Sequence, residues 1–422
     1  MFKIIFSCCQ LLILFFLLAC GGSPGSDKTK LYFMLWGSAD QRGLWHKLKK
    51  DFEEKNPDIQ LILHYSTFKG YEDKLLTLLA AQSEKVDLCR IAEVTSIASR
   101  GTLADLSPYY KNDKLPPLRD FYINTVSNFT YNGKQYAVAY SINVYTIFVN
   151  SGIAEQKNVT VPQGDYSFNT YKTFVKNLSS EKPKRVYGCG TDINPLRYLP
   201  LIWNRGGRIY RAEDNSINFD IPETRYVLKM FKKFIENKYM APLDADQQGG
   251  FSGFQNGTSA TYAAGQYLIP ELRKKVNFKW QMMPFPLQPG ESRFAQGFDN
   301  KIAVRRGSKK REEALRFLKY LLTADAAQIL ARGGDYIPPL KSLNADKAVQ
   351  KRIPYDTAPF IKQYQKMRRL FYDKHKDKNQ IGEGINKEVW TYLLQPEASL
   401  DKCIHNIHHN LSKFYKIRKQ DL

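Results

Sequence analysis

The stretch Gly133-Lys134-Gln135-Tyr136-Ala137-Val138-Ala139-Tyr140-Ser141-Ile142-Asn143-Val144-Tyr145-Thr146-Ile147-Phe148-Val149-Asn150 decides how this chain is read. Asn132-Gly133 is turn chemistry. The run after it is rich in Val, Ile, Tyr and Phe, has no proline, and reads as one long strand. The segments on either side both mix strand-like with helix-like patterns. A long strand between two α/β halves is a crossing point, and a cleft between halves is where ligands sit.

Upstream, residues 30–36 read as a buried strand ended by Gly37-Ser38. A helix follows, with Leu44, Leu48 and Phe52 spaced by four and Trp45 beside them, and Asn56-Pro57 stops it. Residues 59–65 are a second strand, 71–82 a helix burying Leu75, Leu78 and Leu79, and 86–91 a third strand. This alternation makes a parallel sheet, whose ligands lie beyond the carboxyl ends of the strands. Trp36, Ser38, Asp40, Arg90 and Glu93 fall at those ends. Downstream, helices are expected over 169–177 and from Pro222, and a strand ends at Val186-Tyr187-Gly188. Phe278, Trp280 and Met282 alternate as a strand. Ser308 is the expected N-cap of a helix with Glu312 and Glu313 in its first turn and Ala314, Phe317, Leu318 and Leu321 buried. The tail reads as helical, with Trp390 and Leu394 among its apolar positions.

The N-terminus carries Lys3, an apolar run over 4–18 and then Ala19-Cys20-Gly21-Gly22-Ser23, the pattern of a signal peptide. The run is short for a membrane span. Leu17-Leu18-Ala19-Cys20 resembles the bacterial lipobox, which implies lipidation of Cys20; Cys8 and Cys9 lie too early. An ordinary cleaved signal peptide is the alternative. Residues 23–30 read as a polar tether.

With 422 residues, 43% of them hydrophobic and 13% aromatic, the chain has material for two packed domains. Beyond Cys20 the cysteines are Cys89, Cys189 and Cys403, an odd number without zinc spacing. Cys89 lies in an apolar strand and reads as a buried free thiol. The formal charge of +22 suits a polyanion, a membrane surface or an acidic solute, but the basic residues are spread along the chain as a solvated surface would have them. The densest cluster, Arg305-Arg306-Gly307-Ser308-Lys309-Lys310-Arg311, reads as a loop opening a helix. No nucleic-acid-binding motif is present, so no nucleic-acid partner is expected.

The order of motifs resembles extracellular solute-binding proteins, family 1, the maltose-type capture components of ABC importers. The match runs through a strand ending in Trp36, Phe52-Glu53 ahead of Pro57, Tyr71 with Lys74-Leu75, a strand starting at Asp87, and Gly101-Thr102-Leu103-Ala104-Asp105-Leu106-Ser107-Pro108-Tyr109. It continues through Gly133-Lys134 and Tyr136 to Asn150, a helix before Gly206-Gly207, the element Phe251 to Ala260, Gln296-Gly297-Phe298-Asp299 as a return crossing, and the loop Gly333 to Pro338. Gln82, Val86 and Ala139 depart from the usual Gly and Pro residues.

The resemblance implies an α/β, two-lobe periplasmic-binding-protein-like fold (type II), each lobe a mixed sheet flanked by helices, joined by a multi-strand hinge near 141–145. It implies a signal peptide over 1–19, a lipidated tether over 20–29, a first lobe over 30–142 completed by 303–337, and a second over 143–302 completed by 338–422. It also implies a monomer anchored in the cell membrane, facing the periplasm or exterior, that passes a sugar to ABC permease subunits. Sugars bind to flat aromatic faces and planar polar groups. The aromatic candidates are Trp36, Tyr140, Trp203, Tyr262 and Tyr336; the polar ones are Ser38, Asp40, Glu93, Asn143, Gln266 and Asp299. For each aromatic, core packing competes with ligand contact.

No catalytic motif is found: there is no His-Glu-x-x-His, no Gly-x-Ser-x-Gly and no P-loop, and Gly188-Cys189-Gly190 lacks the third glycine of a dinucleotide loop. No cofactor or metal is expected. His405, His408 and His409 could share a helix face as metal ligands, though an exposed helix end is the simpler account. Glu93 and Asp299 across the cleft would suit a glycoside-processing lipoprotein. An adhesin or scaffold on the same fold is the third reading. The basic balance keeps acidic sugars among the candidates.

Overall fold

The computed structural model describes residues 28–37, 39–68, 70–190, 195–240, 250–294, 296–367 and 378–418. The expected signal peptide, Cys20 and Ser38 lie outside the described residues.

Among the described residues, seven strands form one sheet. They are β1 (Thr29–Trp36), β2 (Ile59–Ser66), β3 (Leu88–Ile91), β4 (Val138–Asn150), β5 (Thr261–Gly265), β6 (Trp280–Met283) and β7 (Gly297–Val304). β1 pairs in parallel with β2 and β3, and β7 pairs antiparallel with both β3 and β4. β5 and β6 then pair antiparallel with the far half of β4. β4 is therefore the spine. All of its 13 residues are buried, which fits a sequence rich in Val, Ile, Tyr and Phe, although Ser141, Asn143, Thr146 and Asn150 bury polar side chains within it.

The two halves have separate cores. Leu31, Phe33, Leu48, Phe52, Leu75, Leu88 and Phe317 belong to the first. Ile147, Phe174, Ile202, Trp203, Phe231, Ile385 and Ile407 belong to the second. The helices Ala39–Lys55, Tyr71–Ala80 and Arg311–Tyr320 cover the first, while Phe168–Leu178, Pro195–Asn204, Pro222–Glu236, Lys378–Leu394 and Leu400–Leu411 cover the second. The first core also takes in Leu343, Val349 and Ile353, so packing carries the first half beyond residue 337.

Between the cores β4 changes partners. Residues 138–144 pair with β7 and residues 145–149 with β5. On the edge away from β7, Ile142 N–H donates to the Ile337 carbonyl at 3.0 Å, and Val144 N–H donates to Gln266 Oε1 at 2.7 Å. The Gln266 amide thus stands in for a strand where none reaches. β4, β7 and the segment through Ile337 make a three-strand crossing.

Some local expectations change. The long strand begins at Val138: Gly133 belongs to a separate hairpin of Thr130–Tyr131 and Lys134–Gln135. Asn132 and Gly133 both have positive φ, as a two-residue hairpin turn requires. Around 186–190 there are only isolated bridges, not a strand. Ser308 does not cap the helix Arg311–Tyr320; its Oγ donates to Asp87 at 2.7 Å instead. Asn150 caps Ser151–Gln156 through its Oδ1, which accepts from Ile153 N–H at 3.1 Å. Leu394 is exposed. Cys89, Cys189 and Cys403 are buried free thiols. Among the described residues, no helix is long and apolar enough to cross a membrane.

Candidate functional site

The carboxyl ends of β1 and β3 approach the crossing, because β3 pairs with β7 and ends at the Ile91–Lys301 pair. Trp36 closes β1 there, partly buried, and Arg90 lies one residue before the end of β3. The Arg90 guanidinium is 4.2 Å from the centre of the Trp36 ring and donates to the Trp36 carbonyl at 2.8 Å. Its other arm donates to Asn300 Oδ1 at 2.6 Å, and Asn300 Nδ2 donates to Ser141 Oγ at 3.2 Å. Phe68, beyond the end of β2, meets the Trp36 ring edge-on at 5.6 Å and is 71% exposed. A large aromatic left that open beside a held tryptophan is a ready apolar face.

Behind this wall is a void of about 30 Å³, space for roughly two waters, lined by Arg90, Tyr140, Ser141, Asn300, Asp335 and Tyr336 among others. The register of β7 shifts between Asn300 and Lys301, leaving Tyr140 as the extra residue of a bulge. The bulge turns Tyr140 into this void, where it packs edge-on against Trp45 at 5.3 Å. Burial pushes its hydroxyl up to about 12. Burial also pushes the Asp335 carboxyl up to about 6, against the opposing pull of a hydrogen bond from its own backbone, of Arg90 and of Gln41. The hydroxyl of Tyr336 is buried without a partner.

The second half presents another wall. Tyr145, Tyr267 and Phe298 form a triangle of rings with centres 6.1 to 6.3 Å apart. Arg197 is buried with its guanidinium 4.9 Å from the Tyr145 ring and 5.5 Å from that of Tyr262, and it donates to the Tyr262 hydroxyl at 3.5 Å. Between the walls runs one face of β4. Ser141, Asn143 and Tyr145 share it by the two-residue period of a strand. Phe298 stands opposite Asn143. Asn143 is fully buried, with neither side-chain polar atom bonded.

The candidates from sequence therefore separate. Trp36 and Arg90 make the first wall with Tyr140 and Tyr336 buried behind it, Tyr262 stands behind the second, and Asn143 and Gln266 are at the crossing. Glu93 is the residue before the helix Val94–Ala98, at the end of β3. Asp40 lies in the first turn of Ala39–Lys55. Trp203 and Asp299 do not line a wall. Trp203 is packed in the second core with Leu199 and Ile202. Asp299 faces the back of the crossing, accepting from Asn128 Nδ2, from the Tyr364 hydroxyl and, at 3.3 Å, from Thr125 Oγ1. A carboxylate so engaged does not face Glu93 as one of a catalytic pair. His408 Nε2 accepts from Phe219 N–H at 2.8 Å, and among the described residues no cluster of His, Cys, Asp and Glu could hold a metal. Phe68, Tyr267, Arg197 and Asp335 were not foreseen. For Phe68 the signal was available: an aromatic just past a strand whose neighbour ends in Trp36.

The model of the family described as bacterial extracellular solute-binding protein matches residues 47–355. The diacetylchitobiose binding protein DasA of Streptomyces coelicolor is 26% identical over 385 residues, covering 82% of this chain and 86% of that protein. The ABC substrate-binding protein Lmo0181 from Listeria monocytogenes, solved in complex with cycloalternan, superposes with a TM-score of 0.79 at 23% identity, over 92% of this chain and 99% of that one. The GacH receptor of Streptomyces glaucescens, solved unliganded and with acarbose, gives 0.79 at 20% identity over 92% of this chain and 100% of that one. These neighbours share the two-lobe fold. The strand order, the crossing and the family match agree, and the chain belongs to the bacterial extracellular solute-binding proteins.

Proposed function

We propose that this protein captures a sugar or oligosaccharide between its two lobes and delivers it unchanged to the permease of an ABC importer. The observation that carries the reading is the pair of aromatic walls, Trp36 with Phe68 and Tyr145 with Tyr267 and Phe298, on either side of a polar crossing strand. Flat rings cover the C–H faces of a sugar, and the guanidinium and amides between them take its hydroxyls. DasA is a diacetylchitobiose binding protein, Lmo0181 was solved with cycloalternan and GacH with acarbose, which supports the same class here.

In this reading Trp36, Phe68, Arg90, Asn143 and Tyr267 touch the ligand. Glu93 adds a polar group at the rim, and Ser38 and Asp40 are kept as further polar contacts on the strength of the sequence alone. Tyr140, Tyr262, Gln266 and Tyr336 support the walls and floor, and Trp203 and Asp299 hold the fold. The first lobe is built around β1 to β3 with the return after β7, and the second around β5 and β6 with the C-terminal helices. The mature chain is a monomer tethered through lipidated Cys20, outside the cytoplasmic membrane. Ligand bridging both walls shifts the population from open to closed.

A thermal-shift screen over neutral and acidic saccharides tests this. A ligand at a hundred times its Kd adds about 2.7 kcal/mol of stability, a rise of several degrees in Tm. A melting temperature unmoved by every saccharide at millimolar concentration contradicts it and favours a scaffold role. Conversion of a saccharide on incubation would show chemistry instead.

A further inference from the structure

Three buried amides at the crossing have bonding capacity to spare. Asn143, fully buried, has both Oδ1 and Nδ2 unpartnered. Gln266 and Gln296 are also buried, and each has one polar atom bonded and one not. Gln266 Oε1 accepts from Val144 N–H at 2.7 Å, and Gln296 Nε2 donates to the Gly297 carbonyl at 3.3 Å. These bonds fix which way both amides point. Turning Gln266 would set its NH₂ against the Val144 N–H, and turning Gln296 would set its oxygen against a carbonyl. The spare groups are therefore defined. Gln266 Nε2 is a donor, Gln296 Oε1 is an acceptor, and Asn143 offers one of each.

All three lie at one level of β4. Val144 bonds the Gln266 side chain, Tyr145 N–H donates to the Gln296 carbonyl at 2.8 Å, and Asn143 precedes both. A buried polar atom without a partner costs about 1–3 kcal/mol, and such atoms are rare unless something else fills them. Here Asn143 sits on the strand between the two aromatic walls, with Gln266 and Gln296 bonded to its opposite edges.

We infer that Asn143, Gln266 and Gln296 form the floor of the ligand site and select an uncharged saccharide by taking two neighbouring hydroxyls. The inference rests on the saccharide reading above. A hydroxyl donates and accepts at once, so a pair of them matches spare donors and acceptors together. A carboxylate, sulfate or phosphate only accepts. It would leave Asn143 Oδ1 and Gln296 Oε1 unbonded and facing negative charge. The guanidinium of Arg90 belongs to the first wall, where it lies over the Trp36 ring and donates to the Trp36 carbonyl and to Asn300, and it makes no bond to the spare atoms of the three amides. The floor atoms are closed to solvent, so the ligand reaches them when the lobes part.

Calorimetric titration of the full mature protein with maltotriose, cellotriose, diacetylchitobiose and trigalacturonate tests it. At least one neutral saccharide binds, at least about tenfold more tightly than trigalacturonate. Asn143→Leu, of nearly the same shape, weakens that ligand by about tenfold or more and leaves the unliganded Tm unchanged or raised. Gln296→Met weakens it several-fold, and serves should Asn143→Leu not fold. Tighter binding of trigalacturonate overturns the inference. So does a neutral saccharide whose affinity both variants leave intact, with a lowered unliganded Tm marking the amides as sites for structural water. If no saccharide of either charge binds, the proposed function itself fails and the amide floor with it.

Discussion

Asp299 and Asn143 are neighbours on the crossing, one on β7 and one on β4, and both are shut from solvent. Asp299 has its carboxylate filled by Asn128, Thr125 and Tyr364, which ties the helices Ile123–Asn128 and Ala358–Gln365 to β7. Asn143 has a whole amide unbonded. The apolar neighbours repeat the contrast. On the Asp299 side, Tyr122, Ile142, Val144, Ile337 and Tyr364 make a closed cluster. On the Asn143 side stand the aromatic rings of the two walls, with Phe68 and Tyr267 exposed. One face of the ribbon is finished by the protein itself; the other carries the unbonded amide on which the proposed saccharide site rests.

The sharpest way to break that contrast is to cut into the finished side. Trp203→Ala removes a core indole and should destabilise the protein by about 3–5 kcal/mol, read as a lower urea midpoint. Saccharide affinity of the folded fraction should hold; an intact midpoint with lost binding would return Trp203 to the ligand wall. Asp299→Leu strands three buried partners and should cost about 3 kcal/mol or more. A smaller loss would mean that the helices around the crossing are held without it.

Asp335 sharpens the comparison through pH. Its carboxyl lies near 6 in the fold against an ordinary 3.8, so the folded state binds its proton more tightly than the unfolded state. The stability from this group is complete below pH 3.8 and is lost as pH rises through about 6. The loss is at most roughly 2–3 kcal/mol. Asp335→Asn should remove the slope from that window in a series of melting curves against pH. Parallel curves for the two proteins would show that the carboxyl is not held protonated.

The smallest effect on stability belongs to Phe68→Ala. A side chain this exposed should change stability by no more than about 0.5 kcal/mol. Its effect on saccharide affinity should be about tenfold, the loss of one stacking face. Unchanged affinity would remove Phe68 from the site.

The first half was legible because its strands and helices have clear periods, and the strand ends that follow from them located Trp36 and Arg90. The crossing was legible as a long run rich in Val, Ile, Tyr and Phe; its start lies at Val138 and not at Gly133, because the Asn132-Gly133 turn joins a separate hairpin. The site was less legible. Trp203 shares one buried helix face with Leu199 and Ile202, so residue type suggested a sugar platform where spacing allowed a core. Asp299 and Asn143 look alike as polar residues in crossing strands. What separates them is the strand face each occupies and the helices behind β7, which arrive from residues 123–128 and 358–365. Arg197 carries no local pattern; its burial follows from the approach of β5.

Closure over a guest is tested most directly by small-angle X-ray scattering, with and without the saccharide that raises Tm most. The radius of gyration should fall on saturation as the lobes close on the rings and amides at the crossing. A profile that does not change at saturating ligand would contradict closure.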